Sequence, residues 1–82
     1  MTIENFDNTL RVLLTRRPYQ MFTVELHGGE RFEVDYPNAL VFRDGMAVFV
    51  APGGIPHLFD HDSVNQFIAA GTSSISEPPD AA

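Results

Sequence analysis

The sequence predicts a mainly β domain with one N-terminal α-helix, in which five antiparallel strands form a small, strongly bent β-barrel. Three observations lead to this fold class. Apolar residues recur at helical spacing near the N-terminus. Apolar and polar residues then alternate on both sides of a glycine pair, and short apolar segments separated by turn residues continue to residue 69. A chain of 82 residues is short enough for one domain, to which we assign residues 1–71.

The helix is predicted over residues 2–16. Thr2 is a suitable N-cap, because its hydroxyl can accept a hydrogen bond from a backbone N–H of the first turn. The residues that recur at helical spacing, and so form one apolar stripe, are Ile3, Phe6, Leu10 and Leu13. Pro18 ends the helix, since the residue before a proline disfavours helical geometry. We expect the stripe to pack onto a sheet.

A β-hairpin is predicted over residues 21–36. A two-residue turn made of the two glycines would pair Val24 with Glu33 and so place apolar and charged side chains on the same face. A three-residue loop, His27-Gly28-Gly29, instead pairs Val24 with Phe32 and places a glycine where such a loop needs a left-handed residue. We therefore expect the three-residue loop.

Two segments after the hairpin are apolar on both faces. Pro37-Asn38 is expected to bend the second strand, after which the chain runs through residues 39–42, turns at 43–45 and returns through 46–50. A sheet with one solvated face does not need apolar residues on both sides. Either the helix covers one face and the barrel interior the other, or one face meets another subunit.

The last part of the domain holds the fourth and fifth strands. Residues 55–61 are predicted as the fourth strand, with Pro56 near its start, where a missing N–H is tolerated. Residues 64–69 fit a fifth strand or a short helix. Residues 72–82 lack a core pattern, and we expect them to form a mobile, acidic tail that contains prolines.

Composition limits the classes of function. The net charge is −6, and the five basic residues are all arginines. Nucleic-acid binding without sequence preference relies on clustered basic residues, so the chain as a whole repels a polyanion. Without cysteine there is neither a disulfide nor a thiolate metal site. The sequence lacks a signal-peptide pattern and an apolar run of the roughly 20 residues that a membrane helix needs, so we expect a cytoplasmic protein.

Two segments resemble the Sm-like (Hfq-like) small β-barrel family. FTVELHGGERFEV, residues 22–34, is similar to that family's first hairpin, and HLFDHDSVNQFI, residues 57–68, to its last two strands. The order of one helix and five strands, with the second strand long and bent, extends the resemblance over residues 3–69. The hairpin is also similar to that of short uncharacterised bacterial proteins, which implies no function.

The resemblance implies a closed ring, in which the fourth strand of one subunit pairs with the fifth strand of the next. It also implies RNA as the usual ligand. Phe59, Asp60 and His61 occupy the places where bacterial members have an aromatic residue, a lysine and a histidine. Asp60 therefore reverses the charge at a position that those proteins use against RNA.

His57, Asp60, His61 and Asp62 lie within six residues, which raises the alternative of a metal or proton-transfer site. In a strand, His57 and His61 point to one face while the two aspartates point to the other. The aspartates more simply accept hydrogen bonds from N–H groups of the turn. We expect no metal, no cofactor and no catalytic residue. A ring would bring copies of His61 together around its axis, which leaves a shared site open.

Two hypotheses of function follow. The first is a non-enzymatic, ring-forming Sm-like binding module. If its ligand is RNA, the stacking and arginine contacts would use Phe59, Tyr19, Tyr36, Arg16, Arg17 and Arg31. Asp60 and His61, next to Phe59, complete the candidate ligand-binding residues. The alternative is a protein-interaction or scaffold oligomer without a nucleic-acid ligand, which fits the acidic balance better. Both predict a homo-oligomer that forms through edge strands, because so short a chain has a thin core.

Overall fold

The computed structural model describes residues 1–69 and 74–75 of the chain. One α-helix is followed by strands of two antiparallel sheets, so the mainly β fold class is confirmed. The elements are α1 (Ile3–Thr15), β1 (Phe22–Leu26), β2 (Arg31–Val34), a 3₁₀ turn (Pro37–Ala39), β3 (Leu40–Arg43), β4 (Met46–Ala51), β5 (Ile55–Asp60), β6 (Val64–Ala69) and β7 (Ser74–Ile75).

The helix α1 begins as the sequence predicts. The Thr2 hydroxyl accepts a hydrogen bond from the Asn5 N–H at 3.0 Å, which satisfies one of the N–H groups that a helix start leaves without an intrahelical partner. Its buried side chains are Phe6, Leu10, Leu13 and Leu14. Of the predicted stripe, Phe6, Leu10 and Leu13 face the interior of the domain and position the helix against the strands, whereas Ile3 is 46% exposed.

The first sheet has the strand order β2–β1–β6–β7. The hairpin register is the predicted one, with Val24 opposite Phe32. The loop has three residues: the Leu26 N–H donates to the Glu30 carbonyl at 2.8 Å, and Gly29 has a φ of +92°. The prediction from apolar pairing is therefore confirmed. Residues 64–69, which the sequence left open between strand and helix, pair with β1 as the strand β6.

The second sheet has the strand order β3–β4–β5. A two-residue turn, Asp44-Gly45, joins β3 to β4, and both of its residues have positive φ angles of 52° and 84°. Such turns match the twist of the strands that they connect. Along β4, Ala47 and Phe49 are buried while Met46 and Val50 are exposed, so one face of this sheet lines the core and the other points outward.

The strands depart from the predicted barrel in number and in closure. Among the described residues there are six strands of four residues or more, rather than five, and they form two separate sheets, not a closed barrel. The 3₁₀ turn at Pro37–Ala39 divides the predicted long second strand into β2 and β3. Pro37 has no N–H for a strand ladder, and the Ala39 N–H donates to the Tyr36 carbonyl at 3.1 Å. The sequence predicted a bend at this position, but not a three-residue 3₁₀ turn that divides the strand in two.

The core lies between the inner faces of the two sheets, and α1 closes one end of it. The Phe6 ring contacts Phe59 of the second sheet and Phe67 of the first, with ring centroids 5.9 and 6.1 Å apart. The buried apolar residues are Phe6, Leu10, Leu13, Leu14, Phe22, Val24, Val34, Leu40, Ala47, Phe49, Phe59, Val64, Phe67 and Ala69. The helix is thus used at the end of the core and does not cover the outer face of a sheet.

Of the predicted mobile tail, only Ser74–Ile75 is described. These two residues form β7, which pairs with Phe67 and Ile68 of β6. The rest of the predicted tail lies outside the described residues. No helix in the described part of the chain is long and apolar enough to cross a membrane.

Candidate interaction surface

The outer face of the second sheet carries a continuous set of apolar side chains. Strand register aligns them in rows across the sheet: Val41 lies beside Val48, and Val48 lies beside Leu58. Val41 and Leu58 are both 66% exposed. Met46, Val50 and Pro56 extend the set along β4 and β5. We call this surface, formed by Val41, Met46, Val48, Val50, Pro56 and Leu58, the apolar face.

A shallow groove of about 400 Å³ runs along β3 and β4 at one side of the apolar face. Its lining is almost entirely apolar and consists of Val41, Phe42, Arg43, Met46, Ala47 and Val48. A shallow groove next to a flat apolar sheet suits a packed partner surface better than an enclosed small-molecule site, which buries most of its ligand.

Opposite charges flank the apolar face in a single row. Arg43 of β3 lies beside Met46 of β4, and Met46 lies beside Asp60 of β5. The Arg43 side chain is 93% exposed, and its Nε is 4.0 Å from a carboxylate oxygen of Asp44. Asp60 uses Oδ1 to accept a hydrogen bond from the Ser63 N–H at 3.0 Å. Across the sheet, this row therefore carries a positive, an apolar and a negative side chain in that order.

The outer face of the first sheet is polar and is satisfied within the chain. Glu25 of β1 accepts hydrogen bonds from the Arg31 guanidinium at 3.0 Å, from the Asn65 amide at 2.9 Å and from the Gln66 amide. The hydrogen bonds from Gln66, Asn65 and Arg31, in that order of importance, hold the pKa of Glu25 below its usual range. This face resembles an ordinary solvated sheet, which makes the contrast with the apolar face plain.

The outer edge of β5 has few backbone groups left for another strand. The His61 N–H donates to the Gly45 carbonyl at 2.8 Å, which fixes the alternation so that Pro56, Leu58 and Asp60 direct their backbone groups away from β4. Pro56 has no N–H. The Asp60 N–H donates to the Ser63 hydroxyl at 3.1 Å, and the Asp60 carbonyl accepts from the Ser63 N–H. Only Leu58 thus presents both groups at this edge.

Part of the outer edge of β6 is occupied by β7. Phe67 pairs with Ile75, and Ile68 pairs with Ser74. Short edges, proline and local side-chain bonds are features by which sheets avoid edge-to-edge pairing. In the single chain, both edges that the predicted ring would join therefore have fewer backbone groups free to pair. Pro56 and the bonds to Ser63 reduce their number on β5, and β7 reduces it on β6.

The predicted site residues on β5 do not share a common surface. Phe59 is buried in the core, so its ring is not available to stack on a base in this state. His57 lies on the inner side of β5 and stacks on Phe32 of β2, with ring centroids 4.7 Å apart. Its Nδ1 is 3.9 Å from a carboxylate oxygen of Glu30. His57 therefore makes a contact between the two sheets that no local sequence signal indicates.

His61 belongs to the turn between β5 and β6 and contacts the start of α1. Its Nδ1 lies 2.9 Å from the Met1 carbonyl and 3.3 Å from a carboxylate oxygen of Asp62. Asp7 of the helix accepts a hydrogen bond from the Gly45 N–H at 3.0 Å, close to the same place. In residues 1–69 and 74–75, no three His, Cys, Asp or Glu side chains lie close enough together to hold a metal ion.

The three arginines of the predicted RNA site differ in their contacts. Arg31 is bound to Glu25 on the first sheet. Arg17 donates to the carbonyl of Arg16 at 2.7 Å, and within the described residues Nε and Nη2 of Arg16 are buried without a hydrogen-bond partner. The thirteen residues of α1, about 20 Å in length, separate these two arginines from His61. Tyr36 is exposed.

Sequence reasoning missed the apolar face as a site, although it contained the signal. The segments that are apolar on both faces are β3 and β4, and the alternative that one face meets another subunit describes this surface. What the sequence did not reveal is which face stays exposed. That depended on the position of α1, which packs at the end of the core.

The fold and this surface define a class: a small domain of two packed antiparallel sheets, closed at one end by an N-terminal helix, with one outer face polar and the other apolar. Comparison with known proteins gives nothing more specific, since no family model, no curated protein and no solved structure matches the chain.

Proposed function

We propose that this protein is a non-enzymatic protein-binding module that binds its partner through the apolar face. The single observation that carries the proposal is a cross-strand row on a sheet whose other face lines the core: Val41 and Leu58 are each 66% exposed, and the half-buried Val48 lies between them. A contiguous exposed apolar patch of a few hundred Å² is a mark of an interaction site. Scattered apolar residues would carry no such argument, but these share one face by register.

The charges support a protein ligand over a polyanion. The net charge is −6, and Arg31 is already paired with Glu25. Arg43 is the cation at the margin of the apolar face, and Asp60 lies across the same row. Since nucleic-acid binding depends on several cations that displace counterions from phosphates, one arginine next to acidic residues is a poor basis for it.

The test uses a matched pair of variants. Leu58→Asp places a charge within the apolar face, on its edge strand β5, and Val12→Asp makes the same kind of change on an exposed helix residue, which is 60% exposed compared with 66% for Leu58. Peptides selected from a random library against the wild-type protein are then measured by calorimetry. We expect Leu58→Asp to weaken their binding at least about tenfold and Val12→Asp to leave it unchanged, because a buried unpaired charge opposes docking.

Two results would contradict this proposal. Selected peptides that bind Leu58→Asp as tightly as the wild-type protein would locate the binding site elsewhere. A selection that yields no peptide that binds more tightly than to an unrelated acidic protein would remove the assignment as a binding module. Circular dichroism of both variants shows whether each retains the native fold.

A second candidate is the ring-forming Sm-like binding module, and the strand order favours it. If β2 and β3 are read as one strand bent at Pro37–Ala39, five strands follow the helix, in the chain order that the resemblance implies. The predicted ring would join β5 of one copy to β6 of the next. In this candidate, β5 would pair with β6 of the next copy although only Leu58 presents both backbone groups at that edge. β7 would also have to separate from β6.

RNA binding stays a prediction of this second candidate. A gel shift with U-rich and A-rich RNA at low salt tests it, since binding through phosphate contacts weakens steeply as salt rises. A salt-sensitive shift that is reduced by Tyr36→Ala would support the RNA-binding ring. Absence of a shift at micromolar protein concentrations would leave the protein-binding module as the better account.

A further inference from the structure

We propose that the partner that occupies the apolar face is a second copy of this chain, packed face to face about a two-fold axis that runs along the strands. This inference rests on the proposed function, because it identifies the occupant of the same surface. The first argument is the charged row. Arg43, Met46 and Asp60 lie side by side across β3, β4 and β5.

A two-fold axis along β4 exchanges the β3 side of one sheet with the β5 side of the other. Arg43 of each copy then lies opposite Asp60 of the other copy, and Met46 lies on Met46. The next row behaves in the same way, because Val41 meets Leu58 and Val48 meets Val48. Under this axis each row is therefore complementary in charge and in apolar contact to the same row of the other copy, as an isologous interface requires.

The alternative face-to-face axis, perpendicular to the strands, is unfavourable. It would reverse the order of the rows and place Arg43 and Asp60 against the row that holds Val50 and Pro56. Arg43 and Asp60 of each copy would then face apolar side chains and lose the opposite charge that the first axis brings to each of them, which disfavours this axis. The arrangement of charges thus selects one of the two ways in which the faces can meet.

Pairing through the strand edges is the less favourable route to a dimer. The β5 edge presents both backbone groups only at Leu58, and β7 occupies part of the β6 edge. Packing through the face uses neither edge, and it leaves β7 in place. Two sheets that pack in this way keep their strands nearly aligned, with a crossing angle of about −30° from their twist.

The size of the face predicts a weak dimer. Three strands spaced about 4.8 Å apart and six residues of about 3.3 Å each give a flat area of about 300 Å². Standard interfaces bury about 800 Å² on each partner. We therefore expect a weak dimer in fast exchange with the monomer, as is typical of interfaces below the standard size.

Sedimentation equilibrium over a concentration series tests the dimer. The expected result for the full chain is a weight-average mass that rises from 9.1 kDa toward twice that value. Leu58→Asp should remain monomeric, and Val12→Asp should follow the wild-type curve. A mass that rises beyond a dimer, or a Leu58→Asp variant that associates like the wild type, would overturn the inference.

A charge exchange tests the axis. Arg43→Asp alone and Asp60→Arg alone each place like charges opposite one another and should raise the dissociation constant about tenfold or more. An equimolar mixture of the two variants should form a heterodimer, because each aspartate then meets an arginine. A mixture that associates no better than the separate variants would overturn the proposed axis.

A further variant separates the effect of the Asp60 charge from the effect of losing the turn that follows β5. Asp60→Asn retains a side-chain oxygen to accept from the Ser63 N–H but removes the charge, so weaker association of this variant reports on the ion pair. The proposed function fails separately. If the wild-type protein stays monomeric at millimolar concentration while selected peptides still distinguish Leu58→Asp from Val12→Asp, the second copy is excluded and the protein-binding module stands.

Discussion

Gly45 gives a quantitative test of how tightly α1 is docked on the strands. Its φ of +84° lies in the left-handed region, and a Cβ at this position would come within 2.8 Å of His61 Cδ2 and 2.9 Å of Ile3 Cγ1. Gly29 has a similar φ of +92°, but a Cβ there meets nothing within 4 Å. The pair therefore separates the backbone cost of an alanine from its steric cost.

The magnitudes follow from this difference. An L-residue in the left-handed region costs roughly 1–2 kcal/mol, so Gly29→Ala should lower the free energy of unfolding by about that amount. Gly45→Ala carries the same backbone cost. It also overfills a closed contact, which typically costs about 1–3 kcal/mol more. The entropy that alanine removes from the unfolded chain is the same in both variants and cancels in their difference.

Urea unfolding of the two variants and the wild-type protein measures this difference. The His61 ring cannot simply turn away, because its Nδ1 is within hydrogen-bond distance of the Met1 carbonyl and its backbone N–H is bonded to Gly45. We expect Gly45→Ala to be the less stable variant by about 1–3 kcal/mol, with melting temperatures that differ by about 4–8 °C for each kcal/mol. Equal stabilities would show that α1 and the turn after β5 are not packed on Gly45, and the reasoning would fail.

Three further predictions concern the core and the titrating groups. Phe6→Ala should lower the free energy of unfolding by about 3–5 kcal/mol, while Val12→Ala on the same helix changes it by less than about 0.5 kcal/mol, as denaturant unfolding will show. Tyr19→Phe should cost about 1 kcal/mol, because the Tyr19 hydroxyl donates to the Val34 carbonyl at 2.6 Å. Burial, as the main cause, raises the pKa of Tyr19 to about 12, so ultraviolet titration should show its ionisation there, and the stability it contributes is lost as pH rises from 10 toward that value. Because the pKa of Glu25 is lowered, the stability that its carboxylate contributes is present above its ordinary pKa of 4.5 and is lost as pH falls. The difference in free energy of unfolding between the wild-type protein and Glu25→Gln should therefore shrink in acid. A difference that stays constant with pH would contradict this.

Local patterns were enough to predict the parts of the fold that depend on neighbours in sequence. The hairpin register followed from the pairing of Val24 with Phe32, because a shift by one residue would turn apolar side chains to the opposite face. The helix followed from its cap and its stripe. The separation into two sheets depends instead on the 3₁₀ turn at Pro37–Ala39 and on the pairing of β1 with β6, which are distant in sequence.

The candidate site was predictable only in part for the same reason. The apolar character of β3 and β4 on both faces was visible in the sequence, but the exposed face became known only with the position of α1. The cluster around HLFDHD drew attention to chemistry, yet its members have separate structural contacts. Phe59 packs in the core, His57 stacks on Phe32, and His61 meets the start of the helix.

The apolar face is a consequence of how a short chain uses its single helix. Two sheets packed against each other leave an opening at the end of the core, and Phe6 fills it by contacting both sheets. The same helix cannot also cover the outer face of the second sheet, so Val41 and Leu58 remain exposed. A partner on this face, as proposed, would cover it as a second helix would. Because a ligand that binds only the folded state stabilises it, occupation of the apolar face and the stability of the fold are linked. The proposed partner would for that reason add to the stability of the fold when it occupies the apolar face.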